Sequence, residues 1–244
     1  MKKSLFLLIL LQFYSCYEYD EQAAIDREKK QKYFNALNKI SLNCNGELSE
    51  NQFTAYVNNT LVCYYENSEL EPLMVKGVTF TTKNPSFGTN IEYENAKNYV
   101  SFGIQPKYGT SIPYNGYIEF EAPLFKLTDT AENFLDSVFS IKEHLLRSND
   151  EETDKFKVTF EIDVPSFANS YLVYTITTAR GDQKDSKLIV KKFNKGKDDL
   201  GLFYDIEIEL DCTLYHSPEL HTVSGVWARI KSGRLSARFR PLFF

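Results

Sequence analysis

The chain lacks a hydrophobic run long enough to cross a membrane. Its longest apolar run, Leu5–Leu11, would rise about 10 Å as a helix, whereas the hydrocarbon core of a bilayer is about 30 Å thick. Cysteine, histidine and tryptophan are scarce, with four, three and one among 244 residues. Gly-x-Ser-x-Gly, His-Glu-x-x-His, Cys-x-x-Cys and phosphate-binding glycine loops are absent, and these motifs mark common hydrolase, metal, redox and nucleotide sites. We therefore predict no catalytic residues, no cofactor and no enzymatic activity.

The first fifteen residues have the order of a secretory signal peptide. Met1–Lys3 is a short cationic start, the apolar run follows, and the small residue Ser15 precedes Cys16. Because such signals are removed from the mature protein, we predict that residues 1–15 are cleaved off. Cleavage removes two lysines and changes the net charge from −5 to −7. An acidic chain does not attract nucleic acid through its overall field, so we predict no nucleic-acid partner.

The position of Cys16 resembles the lipobox of bacterial envelope lipoproteins, in which cleavage precedes a cysteine that carries lipid on its sulfur. Ser15 matches that pattern, whereas Phe13 and Tyr14 are bulkier than its usual residues. The acidic stretch Tyr17–Glu21 is similar to the surface-export signal of Bacteroidetes lipoproteins. The resemblance implies an outer-membrane lipoprotein, facing either the periplasm or the cell surface, with lipid on Cys16. The alternative is an ordinary cysteine retained after cleavage elsewhere.

Residues 16–42 are predicted to be the lipidated cysteine and a helical tether. The segment 20–39 is rich in Glu, Gln, Lys and Ala, and its acids precede its lysines as the helix dipole favours. Its apolar residues are confined to a stripe near the end: Tyr33, Phe34, Leu37 and Ile40. Since the first half has no face to bury, we predict a spacer between the membrane and the folded body.

Residues 43–244 are predicted to form a β-rich domain. The 19 Phe and 16 Tyr residues favour strands, and Asn58-Asn59 is typical of a hairpin turn. In the stretch 205–212 acidic and apolar residues alternate, which predicts one solvent face and one core face. Ser232-Gly233 is predicted to be the turn of a final hairpin. The predicted fold is an antiparallel β-sandwich or meander, as one sandwich or two subdomains.

A row of acids and a row of basic residues are predicted to pair across neighbouring strands. The acids are those of the 205–212 stretch, and the basic residues follow on the final hairpin. Opposite charges that face each other across strands contribute roughly 0.2–1 kcal/mol per pair. The sets are Asp205, Glu207, Glu209 and Asp211 against Arg229, Lys231, Arg234, Arg238 and Arg240.

One packed amphipathic helix is predicted near residues 129–147. Its apolar residues recur at helical spacing, which predicts packing on the sheet: Phe134, Val138, Ile141 and Leu145, flanked by Leu135, Phe139 and Leu146. His144 would lie on the same helix. The stretches 129–131 and 136–138 resemble the O-glycosylation signal of Bacteroidetes envelope proteins, which makes Thr130 and Ser137 candidate acceptors.

Three cysteines remain besides Cys16. Cys44 and Cys63 are the predicted disulfide pair because they would close a short loop in an oxidising compartment; three free thiols are the alternative. Cys212, His216 and His221 form the only cluster of metal-ligand residue types. Their spacing lacks a short ligand pair and a fourth ligand, so no metal is predicted.

Two stretches resemble small Bacteroidetes envelope lipoproteins of unknown function. Phe53–Asn59 is similar to their Phe-x-Ala-x-Val-Asn-Gly opening, with Asn59 in place of Gly, and Val223–Leu235 is similar to their closing hairpin. The resemblance implies a β-sandwich-like lipoprotein and brings no catalytic residues.

We predict a lipid-anchored cell-envelope protein that acts as a binding or structural module. One alternative is a carbohydrate- or protein-binding surface module, which needs exposed aromatic side chains. The candidates are Tyr64, Tyr65, Tyr108, Tyr114, Tyr117 and Trp227. The other alternative is a hydrolase, which needs two converging carboxyl groups and a raised pKa on one of them.

Overall fold

The structure, a computed structural model, is mainly antiparallel β-sheet with two helices in the residues it describes. These are residues 23–25, 27–38, 51–65, 73–83, 97–106, 116–126, 131–140, 142–165, 171–216 and 225–240. Helix α1 comprises residues 23–25 and 27–38, and α2 is Ala131–Ser140. The strands are β1 (Gln52–Val57), β2 (Thr60–Tyr65), β3 (Leu73–Lys83), β4 (Lys97–Pro106), β5 (Gly116–Glu121), β6 (Phe125–Lys126), β7 (Glu143–His144), β8 (Lys157–Pro165), β9 (Tyr171–Thr177), β10 (Lys187–Asp198), β11 (Gly201–His216) and β12 (Val226–Phe239).

Strand pairing runs in one path through the sheet. The order is β2-β1-β12-β11-β9-β8-β5-β4-β3, with β10 also on β11, β7 on β10 and β6 on β4. Strands β10 and β9 pair with the same edge of β11, one after the other, because β11 is the longest strand. That arrangement leaves a short gap between β10 and β9 along this edge of β11.

The two halves of this sheet path pack against each other across the core. Phe102 of β4 stacks on Phe239 of β12 with ring centroids 5.5 Å apart. Tyr64 of β2 packs on Phe160 of β8 at 6.2 Å. Phe139 of α2 lies edge-on to Phe102 at 5.5 Å and covers this aromatic core. The predicted mainly β fold, an antiparallel β-sandwich or meander, is therefore confirmed.

Two local predictions from the sequence are confirmed in the sheet. Asn58 and Asn59 have φ values of 48° and 68° and connect β1 to β2. Positive φ at both central residues is what a two-residue type I′ hairpin turn requires. In β11, burial alternates over Asp205–Cys212, with the apolar residues buried and the acids on the solvent face.

The predicted charge pairs across β11 are only partly correct. Arg238 Nε and Nη2 donate to the two carboxylate oxygens of Asp205 at 2.6 and 3.0 Å. The other acids of β11 take lysines from β10 on the opposite side, a strand that the prediction left out. These pairs are Glu207–Lys192 at 3.3 Å, Glu209–Lys191 at 3.6 Å and Asp211–Lys187 at 3.2 Å.

The predicted helix near 129–147 is wrong in its second half. Helix α2 ends at Ser140, whose hydroxyl donates to the Ser137 carbonyl at 2.7 Å. Glu143–His144 is strand β7, paired with β10, so His144 is not on the helix. Leu145 is 67% exposed and Leu146 is 4% exposed. This alternation follows the two-residue period of an extended chain, which a short apolar stretch does not distinguish from a helix.

The predicted final hairpin is also wrong, because β12 continues through Ser232-Gly233. Ser232 has a φ of 51°, and the register with both neighbouring strands shifts by one residue at this place. The Ser232 N–H donates to Asp211 Oδ1 at 2.7 Å. A Cβ on Gly233 would lie 2.8 Å from the Leu210 carbonyl oxygen. The pair therefore forms a β-bulge, in which glycine permits a close backbone approach.

Helix α1 is docked on the sheet in its second half and is not a free spacer there. Tyr33, Ala36 and Leu37 are fully buried. The Tyr33 ring lies edge-on to Trp227 with centroids 5.8 Å apart. Near the helix end, the Thr60 hydroxyl contacts Asn38 Oδ1 at 3.3 Å. The apolar stripe that the sequence shows is thus a docking face, and this part of the predicted tether belongs to the core.

Candidate binding groove

The predicted binding aromatics whose side chains are described lie inside the protein. Tyr64, Tyr117 and Trp227 are 5%, 8% and 8% exposed. None of these three rings offers a face to a ligand, so this part of the prediction is wrong. The side chain of Tyr65 and residues Tyr108 and Tyr114 lie outside the described side chains.

Trp227 is the centre of an aromatic cluster that fixes α1 to the sheet. His216 lies on it with ring centroids 4.2 Å apart, and Tyr174 lies at 6.0 Å. Tyr33 completes the cluster from the helix. Edge-on and offset ring pairs of this kind add roughly 0.5–1.5 kcal/mol beyond burial. The single tryptophan therefore has a packing role.

The candidate metal residues do not form a site in the described part of the chain. Cys212 is a buried free thiol, and burial raises its pKa. His216 lies four residues further along β11, roughly 13 Å away on an extended strand, and packs on Trp227. His221 is outside the described residues. No group of three or more metal-ligand side chains occurs among the residues described.

Cys63 is disulfide-bonded, whereas Cys212 is free. Cys16 and Cys44 both lie outside the described residues. Pairing with Cys44 stays a prediction, and it is the pairing that leaves the Cys16 sulfur available for lipid.

Gln183 fills the gap between the two strands that share one edge of β11. Strand β10 pairs with β11 as far as Asp211, and β9 pairs from Tyr215 onward. Between them, Gln183 Nε2 donates to the Thr213 carbonyl at 2.8 Å, and the Thr213 N–H donates to Gln183 Oε1 at 3.3 Å. One side-chain amide thus makes the two hydrogen bonds that a residue of a neighbouring strand would make. Buried or half-buried backbone N–H and C=O groups need such partners.

We expect Gln183→Ala to lower the free energy of unfolding by about 1–3 kcal/mol, because the Thr213 amide and carbonyl lose their partner. Urea denaturation measures this loss, and hydrogen exchange should show faster exchange of the Thr213 N–H. Gln31→Ala is the matched control, since Gln31 is exposed on α1 and bonds only Asn35 among the described contacts. Equal stability of the two variants would contradict this role for Gln183.

A polar cavity of about 340 Å³ opens beside this junction, and we call it the β11 groove. The β9–β10 connection forms one wall, β11 the floor and the bulged strand β12 the other wall. Its polar lining residues are Asp182, Lys184, Asp185, Ser186, Asp211, Thr213, Tyr215, Arg229, Lys231 and Ser232. Its volume is within the range of about 300–1,000 Å³ that small-molecule sites occupy.

Two residues of the β11 groove are held in place by hydrogen bonds and an ion pair with their neighbours. The Tyr215 hydroxyl donates to the Asp182 carbonyl at 2.8 Å. Burial, followed by the nearby Asp182 carboxylate, raises the pKa of Tyr215. Asp211 receives the Ser232 N–H and pairs with Lys187. The floor is therefore pre-organised, and the bulge of β12 that the sequence suggested was a turn holds Asp211 in place.

A second cavity of about 420 Å³ lies on the same face of β11, and we call it the charged trough. It is lined by Gln52, Thr54, Lys191, Glu207, Ile208, Glu209, Arg234, Leu235 and Ser236. Glu209 in the trough and Asp211 in the groove are two residues apart on one strand, roughly 6.5 Å. The two cavities therefore lie end to end along β11.

Arg147 is a buried charge that reasoning from the sequence missed. It is 1% exposed. Nη1 donates to Glu121 Oε1 at 2.7 Å, Nε to the Lys155 carbonyl at 2.8 Å, and Nη2 to the Ala122 carbonyl at 3.2 Å. These bonds tie the segment before β8 to the end of β5. All of its partners are structural, so Arg147 is not a ligand-binding group.

Carboxyl groups with resolved shifts have lowered pKa values. Hydrogen bonds from Lys32, Lys155 and Arg240 are the largest causes for Glu28, Glu152 and Asp198. A hydrolase acid needs a raised pKa, so none of these three carboxyls supports the hydrolase alternative. Ser137, one candidate glycosylation residue, is exposed on α2, and Thr130 is outside the described residues.

We expect Glu152 to titrate at about pH 2, because a hydrogen bond from Lys155 and the Ser148 N–H stabilise its carboxylate. The folded pKa lies below the ordinary 4.5, so this contribution to stability is present above pH 4.5 and is lost as the pH falls towards 2. An NMR titration of the carboxyl carbon measures the shift.

Lys155→Ala should move the Glu152 pKa back towards 4.5, whereas the control Lys184→Ala should leave it low. A Glu152 pKa near 4.5 in the unmodified protein would contradict the predicted hydrogen-bonding role.

Comparisons with protein-family models, with curated proteins and with solved structures gave no match for this chain. Neither helix in the described residues has the length and apolar character that a membrane crossing requires.

Proposed function

We propose that this chain is a lipid-anchored cell-envelope protein and that its folded body is a binding module. The observation that carries the proposal is the order of its first residues, in which a cationic start and an apolar run lead to Ser15-Cys16. Lipid on Cys16 would hold the body at the outer membrane, facing the periplasm or the cell surface. No enzymatic activity and no cofactor belong to this proposal.

The docked helix supports an anchor that holds the body close to the membrane. Six residues, 17–22, separate Cys16 from the first described residue of α1, and six extended residues span at most about 20–22 Å. The buried Tyr33 and Leu37 then join the helix to the core. We therefore expect the link between lipid and body to consist of these six residues and the first half of α1.

The β11 groove supports binding as the task of the body. It combines a pre-organised floor with a cavity of ligand size, formed by residues far apart in sequence such as Asp182, Thr213 and Arg229. β-bulges are over-represented near functional sites, where they redirect side chains. A purely structural envelope protein would not require such a cavity.

We expect Cys16→Ala to abolish metabolic labelling with palmitate and to shift the protein out of the membrane fraction. Loss of the lipid-bearing sulfur removes the attachment point. Each buried CH₂ group of an attached acyl chain contributes about 0.8 kcal/mol to membrane binding, and the variant loses this contribution. Cys212→Ala, the same substitution at the buried free thiol, is the matched control and should keep both properties. Membrane partitioning and labelling that persist in Cys16→Ala would refute lipid anchoring.

A further inference from the structure

The charge of the two cavities along β11 is balanced. The lining of the β11 groove contains three acids and three basic residues: Asp182, Asp185 and Asp211, and Lys184, Arg229 and Lys231. The charged trough has two of each: Glu207 and Glu209 with Lys191 and Arg234. A surface of this kind offers many hydrogen-bond donors and acceptors without attracting either an anion or a cation. Its ligand is expected to be neutral and to carry both donors and acceptors.

The shape of the surface indicates an extended ligand. From Glu207 to Tyr215 the shared face of β11 runs for roughly 26 Å. The two cavities lie at successive positions along this face, with Glu209 lining one and Asp211 lining the other. Polar groups along such a floor match the hydroxyl groups of a sugar chain.

A peptide matches this surface less well. Extended peptides are bound mainly by adding a strand to a free sheet edge, with pockets for their side chains. Over the two cavities, the β11 backbone already pairs with β12 on one edge and with β10 and Gln183 on the other. The apolar lining residues of the cavities are mostly buried, and Val226 is the exposed one among them, so few apolar side chains can receive those of a peptide.

We propose that the β11 groove and the charged trough together bind a linear, uncharged glycan. This inference rests on the proposed binding function and specifies its ligand class. Thr213 and Asp211 contact the chain at the groove end, Arg229 closes that end, and Glu209 continues the contacts into the trough.

The test uses full-length protein in detergent on an array of neutral, sulfated and uronic-acid-containing glycans, followed by calorimetry with a neutral oligosaccharide that binds. Asp211→Asn, Thr213→Val and Glu209→Gln should each weaken binding by about tenfold, the effect of one lost hydrogen bond. Thr175→Val is the matched control on β9, outside both cavities, and should bind as the unmodified protein does. Unchanged circular dichroism and melting temperature verify that each variant is folded.

Three results would overturn the glycan proposal. They are binding of no neutral glycan, preference for the charged glycans, and binding that survives all three cavity substitutions. Capture of extended peptides at the same cavities would also overturn it while leaving a binding module intact. Cys16-dependent membrane partitioning is measured independently, so the failure of glycan binding is distinguishable from the failure of lipid anchoring.

Discussion

Replacement of Arg147 by methionine is expected to lower the free energy of unfolding by about 3–5 kcal/mol. The guanidinium is 1% exposed and bonds Glu121 and the carbonyls of Lys155 and Ala122. Methionine has a similar length but no donor, so the Glu121 carboxylate and both carbonyls lose a charged partner in a poorly solvated place. Removing one member of a buried ion pair costs far more than the pair itself contributes.

Urea denaturation of Arg147→Met measures this loss, with Arg180→Met as the matched control. Arg180 pairs with Asp150 at 3.0 Å, but its side chain is 43% exposed, so the control should cost less than about 1 kcal/mol. The double variant Glu121→Gln/Arg147→Met should be more stable than additivity predicts, since it also removes the negative charge that loses its Arg147 partner. Equal, small effects at Arg147 and Arg180 would show that Arg147 does not join these segments.

Phe102→Ala is expected to lower the free energy of unfolding by about 3–5 kcal/mol, through lost burial and the cavity that remains. The ring is 1% exposed. It stacks on Phe120 within its own layer at 5.3 Å and on Phe239 of the opposite layer at 5.5 Å, and it meets Phe139 of α2 edge-on. One substitution therefore removes contacts with both layers and the covering helix.

The packing of the two layers is tested by a double-mutant cycle between Phe102 and Phe239. A coupling of about 0.5–1.5 kcal/mol is expected for stacked rings in contact. Leu145→Ala is the control, because Leu145 is 67% exposed and should change stability by less than about 0.5 kcal/mol. Strictly additive effects of the two phenylalanine substitutions would contradict packing of β4 on β12.

Features governed by neighbours in sequence were predicted correctly. Alternation in β11 determines which face is buried, because side chains of a strand point to opposite sides in turn. Asn58-Asn59 has a local preference for positive φ, which is sufficient to predict the turn. Neither prediction needs to know which strand lies alongside.

Features that depend on distant partners were not predictable. Ser232-Gly233 has the composition of a turn. It forms a bulge instead, because the Ser232 N–H donates to Asp211 and Gly233 lies close to the Leu210 carbonyl of the neighbouring strand. The helical periodicity after α2 is overridden by the pairing of β7 with β10. Arg147 resembles any surface arginine in sequence, and only the packed structure places it inside.

The candidate site also depends on residues that are distant in sequence. Counting aromatic residues did not find it, because the large rings of this chain mostly build the core, as Tyr64 and Trp227 do. The β11 groove instead arises where Gln183 bridges two strands and β12 bulges. Both features depend on tertiary contacts. The sequence around polar residues such as Thr213 has no pattern that indicates a binding site. In contrast, the proposal that Cys16 carries lipid rests entirely on the local sequence Met1–Cys16.

Mass spectrometry of the first peptide of the mature protein tests lipid anchoring most directly. We predict that this peptide begins at Cys16 and carries a diacylglyceryl group on the sulfur, and that Cys44 is found bonded to Cys63. A first peptide with unmodified Cys16, or with Cys16 bonded to Cys63, would contradict lipid anchoring.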